Sequence, residues 1–214
     1  MEKFNRIELK YLVDYSTFEK FLSEIKNYIE LDEYNYNNEF YSIYNIYYDT
    51  ATHYFIRHGM IHKDYKTKIR LRSYNKFDVK SDIFIEQKEK KNGVVYKHRS
   101  IVEPQDISNL HTNLTLNEQK LYPKCFIGYD RLAFFSKEDK ELRITFDFNI
   151  TGCAIADDGM FFNLDGDKII LTEKIVLEVK TNNGLPHWLI QSLAQYRIHS
   201  KNYSKYGQWY KKEK

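Results

Sequence analysis

The chain has little of what interrupts secondary structure or cross-links a fold. Of its 214 residues, eight are glycine, three are proline and two are cysteine. So few glycines and prolines argue against long disordered linkers. Cys125 and Cys153 make a weak case for a disulfide, and no apolar segment follows Met1, so we expect a reducing, cytoplasmic location. No stretch approaches the roughly 18 apolar residues of a membrane span, so insertion is not expected, although a membrane protein could be a partner.

An excess of charge of one sign is also missing. There are 33 Lys and Arg residues against 30 Asp and Glu residues, for a net charge of +3, which does not favour binding to nucleic acid. The sequence has no Walker-type glycine loop, no dinucleotide fingerprint and no nucleophile elbow. Hydrophobic residues make up 42% of the chain, enough for a core, and the length suits one domain over residues 1–214.

The most informative stretch that is present is a basic strand. From Lys66 to Arg72 every second residue is Lys or Arg, and the residues between them are Thr, Ile or Leu. A β-strand sends alternate side chains to opposite faces, so the cations share one face and the other face is apolar. Two interpretations are open: the basic face is the solvated side of an antiparallel sheet, or an anion lies against it.

The same alternation recurs along the chain. Helical spacing predicts helices over 17–30 and 186–198, and the pair Asn92-Gly93 predicts a tight hairpin turn. One or two short helices are also predicted over 103–122, the first beginning at Pro104 and the second running from Leu114 to Tyr122. Strands are predicted over residues 6–13, 40–48, 65–74, 82–90, 94–102, 125–135, 141–150 and 174–181, and nearly every one of them has a face with charged residues. Solvated faces could explain one or two such strands, but for eight we predict an α+β fold: a closed antiparallel β-barrel of about eight strands, with helices packed outside and a basic tunnel inside. Such a tunnel suits a chain of phosphates, because Arg binds phosphate in a bidentate manner and Lys adds point charge.

A few carboxylates stand among these bases. Glu8 and Glu178, with Glu86 or Asp147 as further candidates, could hold a hard divalent cation that bridges phosphate oxygens. The alternative for each carboxylate is an ion pair with a neighbouring Lys or Arg. We favour the ion pair for Glu86 and Asp147 and the metal for Glu178. The seven histidines show no ligand spacing.

With these residues in hand, the sequence resembles the VTC domain, the polyphosphate polymerase branch of the triphosphate tunnel metalloenzyme (CYTH-like) superfamily. Each matching segment is weak alone, and it is their joint order that carries the resemblance. The segments are Arg6–Tyr11, Ile46–Thr50, Lys68–Tyr74, Glu86–Lys88, Tyr96–Arg99, Gly128–Phe134, Leu142–Asp147, Leu177–Lys180 and Ser204–Tyr206. The wider superfamily begins with Glu-x-Glu-x-Lys, whereas this chain has Arg6 in place of the first glutamate, a departure that moves the site from the hydrolytic triphosphatases toward the polymerases.

The resemblance implies roles for individual residues. The catalytic set that would grip the triphosphate or the growing chain is Lys10, Arg70, Arg72, Lys88, Lys97, Arg131, Arg143 and Lys205. Further substrate-binding residues are Lys68, Arg99, Tyr129, Lys180 and Ser204. Glu178 and Glu8 are the expected ligands of Mn²⁺ or Mg²⁺.

The function that the resemblance implies is that of a metal-dependent phosphotransferase. It would transfer the γ-phosphate of bound ATP to inorganic phosphate, pyrophosphate or a growing polyphosphate chain inside the tunnel. Two alternatives remain open. One is hydrolysis of tripolyphosphate or a nucleoside triphosphate in the same tunnel, which requires an activated water. The other is binding of polyphosphate or single-stranded nucleic acid without catalysis.

Overall fold

The computed structural model describes residues 7–35, 39–74, 82–92, 94–155 and 169–214. Arg6 and Gly93, on which two of the predictions rest, lie outside these residues. The strands are β1 (Ile7–Val13), β2 (Ile29–Leu31), β3 (Tyr41–Asp49), β4 (Tyr65–Tyr74), β5 (Ile83–Lys91), β6 (Val94–Val102), β7 (Thr115–Leu116), β8 (Gln119–Lys120), β9 (Tyr122–Ser136), β10 (Arg143–Ala154), β11 (Ile169–Ile170) and β12 (Ile175–Thr181). The helices are α1 (Tyr15–Ile25), α2 (Tyr54–Ile61), α3 (Ile107–Asn113), α4 (His187–Gln195) and α5 (Lys205–Glu213). None of these helices combines the length and the apolar character needed to cross a membrane.

The chain packs as two compact units. Unit 1 comprises Met1–Tyr41, Tyr129–Ile150 and Thr172–Tyr203, and unit 2 comprises Ser42–Gly128, Thr151–Leu171 and Ser204–Lys214. Strands β9 and β10 contribute residues to both units. This division describes packing, and one domain over residues 1–214 stays a prediction.

In unit 1 the strand order is β1–β12–β10–β9, with β2 paired to the end of β9. The antiparallel register places Lys10 opposite Glu178 and Glu178 opposite Thr145. Residues directly opposite each other share a face of the sheet, so these three side chains lie on one polar face. The opposite face packs against α1 and α4 in an apolar core that includes Phe18, Phe21, Phe146, Leu177 and Leu189.

In unit 2 the strand order is β9–β3–β4–β5–β6, and β11 pairs with β10. The odd-numbered residues of β4, such as Ile69 and Leu71, belong to an apolar core that also includes Ile46, Tyr48, Ile83 and Phe126. Their even-numbered neighbours, the predicted cations, therefore share the other face. The sequence-derived alternation of the basic strand is thus confirmed.

Two local predictions were wrong. Helix α1 begins at Tyr15 and ends at Ile25, and Ile29–Leu31 forms β2, so the helix predicted over 17–30 stops early. Ile25 and Ile29 are both in the core, and residues four apart lie on the same side of a helix and also on the same side of a strand, so the sequence pattern does not show where the helix ends. The region 114–120 also contains the small β7–β8 hairpin in place of a second helical run.

The predicted fold class is confirmed: an antiparallel sheet of about eight strands with helices packed against its apolar face. The order is β1–β12–β10–β9–β3–β4–β5–β6, with β2 and β11 attached beside this path. Within the described residues no pairing joins the terminal strands β1 and β6, so the predicted closure of the barrel is incomplete. Val94–Ser100 of β6 are exposed, as expected for an edge strand.

Candidate active site

The polar face of unit 2 is organised in three cross-strand rows. The first, the lysine row, sets Lys68 opposite Lys88 and Lys88 opposite Lys97. The second, the arginine row, sets Arg70 opposite Glu86 and Glu86 opposite Arg99. The third, the aromatic row, contains Arg72, Phe84 and Ile101. Successive rows are two residues apart along each strand, which corresponds to about 6.6 Å.

Glu86 is the centre of the arginine row. Its side chain is 3% exposed, and its Oε2 lies 2.7 Å from Nη2 of Arg70 and 3.7 Å from Nε of Arg72. Its Oε1 lies 3.2 Å from Nζ of Lys97 and 3.6 Å from Nε of Arg99. Burial by itself raises the pKa of Glu86, but the charges of these bases outweigh burial and hold its pKa far below the ordinary value. The ion pair predicted for Glu86 is confirmed.

This cluster carries more positive than negative charge. One carboxylate faces four bases, and the adjacent lysine row adds Lys68 and Lys88. Like charges directly opposite each other on neighbouring strands weaken a sheet. An anion with several oxygens would offset this repulsion, and Arg and Lys side chains are suited to phosphate.

Neutral groups fix the two arginines of β4. Arg70 donates through Nη1 to the Tyr47 hydroxyl, at 3.0 Å, and Arg72 donates through Nε to Oδ1 of Asn45, at 3.1 Å. Asn45 in turn donates to the carbonyl of Ile127, at 3.1 Å. Asn45 and Tyr47 were not predicted as site residues, although they alternate on β3 with the core residues Ile46 and Tyr48, which was a usable signal.

The start of α5 also meets this face. Lys68 donates to the Ser204 hydroxyl, at 2.8 Å, and the same oxygen caps α5 by accepting from the Gly207 amide, at 3.1 Å. Tyr206 stacks on Tyr47 with ring centroids 4.7 Å apart. Lys205 is the first residue of α5. The structure therefore brings Ser204 together with Lys68, both of them predicted substrate-binding residues.

The polar face of unit 1 has a different charge pattern. Glu178, 8% exposed, lies 2.5 Å from Nζ of Lys180 and 3.5 Å from Nζ of Lys10. Lys10 also lies 3.0 Å from Glu8. Burial lowers the pKa of Lys180, and the Glu178 carboxylate opposes that shift. Each of the two lysines is thus matched by a carboxylate.

The predicted phosphate-binding arginines of unit 1 are matched in the same way. Arg131 forms a buried bidentate pair with Asp147, at 2.6 and 2.9 Å, and its guanidinium lies 5.3 Å from the Tyr129 ring centroid. Burial opposes the charge of Arg131, but Asp147 holds its pKa above the ordinary value. The ion pair predicted for Asp147 is therefore confirmed.

Arg143, the other predicted arginine of unit 1, donates to Asp32 at 2.7 Å. Asp32 was not anticipated, because it lies in a loop far from Arg143 in sequence.

Two further hydroxyls on this side were also missed. Thr145, directly opposite Glu178, and Tyr203 are buried, and among the described residues neither hydroxyl has a hydrogen-bond partner. The amide of Lys201 donates to the carbonyl of Lys10, which anchors the segment that leads to Tyr203 beside β1. Buried hydroxyls normally have a hydrogen-bond partner, and an ordered water or a ligand can supply one.

A divalent cation can be tested against the donor set. Glu8 and Glu178 both reach the Lys10 ammonium, so two carboxylates converge at one position. No group of three or more His, Cys, Asp or Glu side chains suited to a metal occurs in the described part of the chain. One or two carboxylates completed by substrate phosphates are the usual protein contribution to a Mg²⁺ site, so the residues fit such an ion.

Together, the fold and the basic face describe an antiparallel sheet that presents a cationic surface in unit 2. A sequence profile of the VTC domain matches residues 5–120 and 111–213, and the chain belongs to this family. No curated protein matches the chain significantly.

Two solved structures are similar to it in fold. One is an adenylate cyclase candidate from Bacillus halodurans, with a TM-score of 0.57, 11% identity and 93% coverage of both chains. The other is an adenylyl cyclase candidate from Hippeastrum with a dominant triphosphatase activity, with a TM-score of 0.53, 13% identity and coverage of 97% of this chain and 96% of that one.

Proposed function

We propose that the protein is an ATP-dependent polyphosphate polymerase. It transfers the γ-phosphate of ATP to inorganic phosphate, pyrophosphate or the end of a polyphosphate chain. The observation that carries the proposal is the cationic face of unit 2, where four bases surround Glu86 beside a row of lysines, in a chain of the VTC domain family.

The reaction needs positioning and charge neutralisation more than a protein nucleophile. An oxygen of the acceptor phosphate attacks the γ-phosphorus, the bond from that phosphorus to the β–γ bridging oxygen breaks, and ADP leaves with the electron pair. Arg70 and Arg72, held by Tyr47 and Asn45, bind phosphoryl oxygens in a fixed orientation. A phosphate acceptor is already ionised, so no strong general base is required.

Unit 1 supplies the groups for a metal-bound phosphate. Glu178, with Glu8, would hold Mn²⁺ or Mg²⁺, and Lys10 would exchange its carboxylate contacts for phosphate oxygens. Such an ion supplies Lewis-acid stabilisation of charge on phosphoryl oxygens. The hydroxyls of Thr145 and Tyr203 are donors available to the same ligand.

The direct test is to incubate the purified protein with ATP and Mn²⁺ and to separate the products on a polyacrylamide gel. We expect a polyphosphate ladder that depends on the metal. Arg70→Ala should abolish the ladder and weaken nucleotide binding, whereas Arg57→Ala, on the exposed side of α2, should do neither. Absence of polyphosphate together with unchanged nucleotide binding by Arg70→Ala would reject the proposal.

A triphosphatase is the second candidate, favoured by the triphosphatase activity of the Hippeastrum protein of the same fold. Release of orthophosphate from tripolyphosphate without chain growth would identify it. Formation of cyclic AMP from ATP would instead assign the activity for which both structural neighbours are named. Tight binding of polyphosphate without turnover and without an effect of metal would leave a binding protein.

A further inference from the structure

The aromatic row of unit 2 has side chains that a bare phosphate chain does not need. The guanidinium of Arg99 lies 3.7 Å from the ring centroid of Phe84 and 5.6 Å from that of Tyr74. Arg72 lies 5.9 Å from the Tyr74 centroid. Tyr74 follows Arg72 by two residues, so it extends the same face beyond the row. Flat π surfaces and guanidinium planes are thus gathered at one end of the basic face.

This group is accessible and continuous with the phosphate-binding cluster. Phe84 and Tyr74 are half-buried, and Ile101, opposite Phe84, is 64% exposed. Arg72 and Arg99 also lie within ion-pair distance of Glu86, so they connect the phosphate-binding cluster to the rings of Tyr74 and Phe84. A ligand that extends from the cluster in this direction therefore meets an apolar and aromatic surface directly.

The chemistry that matches this surface is a nucleobase. Every base has a π face that stacks on aromatic rings and on arginine, largely without regard to its identity. Inorganic polyphosphate has no such part. We infer that Tyr74, Phe84 and Arg99 form a nucleobase-stacking subsite for the donor nucleotide. The inference rests on the proposed function in so far as the donor is a nucleoside triphosphate.

The subsite sets the direction of the nucleotide. The base lies at the aromatic row, the phosphates cross the arginine row, and the γ-phosphate points to the lysine row, where Lys68 meets Ser204. The lysine row is four residues from the aromatic row along β4, or about 13 Å. The acceptor phosphate consequently approaches from the lysine side.

The test compares a ligand that has a base with one that lacks it. Binding of AMP-PNP and of tripolyphosphate is measured by calorimetry in EDTA, so that neither is turned over. Phe84→Leu and Tyr74→Leu keep apolar volume and remove the ring. We expect each to weaken AMP-PNP about tenfold and to change tripolyphosphate less than twofold. Tyr74→Phe, which keeps the ring, should bind AMP-PNP like the wild type.

Tyr65→Leu is the matched control. Tyr65 is a partly exposed tyrosine at the other end of β4 and on the opposite face, so its loss should affect neither ligand. Equal weakening of both ligands in Phe84→Leu and Tyr74→Leu, or no weakening of either, overturns the inference. If the wild type makes no polyphosphate but the variants still lose AMP-PNP selectively, the polymerase proposal fails and the subsite stands.

Discussion

The polar faces of the two units differ in how charges oppose each other across strands. In unit 1 the rows alternate in sign: Glu8 opposes Lys180, and Lys10 opposes Glu178. In unit 2 the lysine row sets three like charges side by side. Opposite charges that face each other across strands stabilise a sheet, whereas like charges in the same positions weaken it. Strands with the same alternation of charged and apolar residues thus carry matched charges in unit 1 and an excess of bases around one carboxylate in unit 2, where we propose that the nucleotide phosphates bind.

The largest expected effect on stability is in unit 1, where each described base of the polar face is paired with a carboxylate. Asp147→Asn leaves the Arg131 guanidinium buried without its carboxylate partner. We expect a loss of about 3–5 kcal/mol in the free energy of unfolding, measured in urea. Added tripolyphosphate should not restore it, because the lost contact is internal. If tripolyphosphate restored the free energy of unfolding, the polar face of unit 1 would also bind phosphate, and the contrast with unit 2 would be wrong.

Glu86→Gln makes the corresponding change in unit 2. Removal of the carboxylate leaves its bases to repel one another, but Lys97 and Arg99 are partly exposed and can turn to water. We expect a smaller loss, about 2 kcal/mol. Tripolyphosphate should restore most of it, since phosphate oxygens replace the carboxylate. Urea titrations with and without tripolyphosphate measure the loss of stability and its recovery. If tripolyphosphate stabilised neither Glu86→Gln nor Asp147→Asn, the proposed difference between the two units would be wrong.

The pH dependence of stability tests the apolar face of unit 2, which contains a buried histidine. There the Tyr48 hydroxyl hydrogen-bonds Nδ1 of His111, and burial lowers the pKa of His111 to about 4. The unfolded chain takes up this proton near pH 6.5, while the folded chain stays neutral. Stability should therefore fall as pH drops from 6.5 toward 4, by about 1.4 kcal/mol per pH unit from this group. His111→Gln should flatten the slope in that window, and an unchanged slope would contradict the assignment.

The smallest expected effect is a change in stability that has opposite signs on the polar faces of unit 1 and unit 2. Lys88→Gln removes the central charge of the lysine row, so without ligand it should stabilise the protein by about 0.5 kcal/mol and weaken tripolyphosphate binding. Lys10→Gln removes a charge that both Glu8 and Glu178 contact, so it should destabilise by a similar amount. Thermal melts at low and high salt measure both changes, which salt should reduce. A destabilising Lys88→Gln would mean that the row is not repulsive.

Much of the fold could be predicted because two-residue alternation is a local property. The limits of β4 and β6 agree with the predicted strands, and the ion pairs of Glu86 and Asp147 followed from the excess of neighbouring bases. The end of α1 was missed because Ile25 and Ile29 fit a helix and a strand equally well. The incomplete closure between β1 and β6 could not be foreseen, since pairing of terminal strands depends on curvature rather than on sequence pattern.

For the candidate site, the sequence by itself determined which residues share a polar face, because side-chain direction in a strand follows residue parity. It also determined the family, through the order of its segments. Only the tertiary structure decided which charges are matched. Strand register put Lys88 between two lysines and Glu178 beside Lys10, and a distant loop brought Asp32 to Arg143. Register and loop contacts join residues far apart in the chain, and no local pattern encodes them.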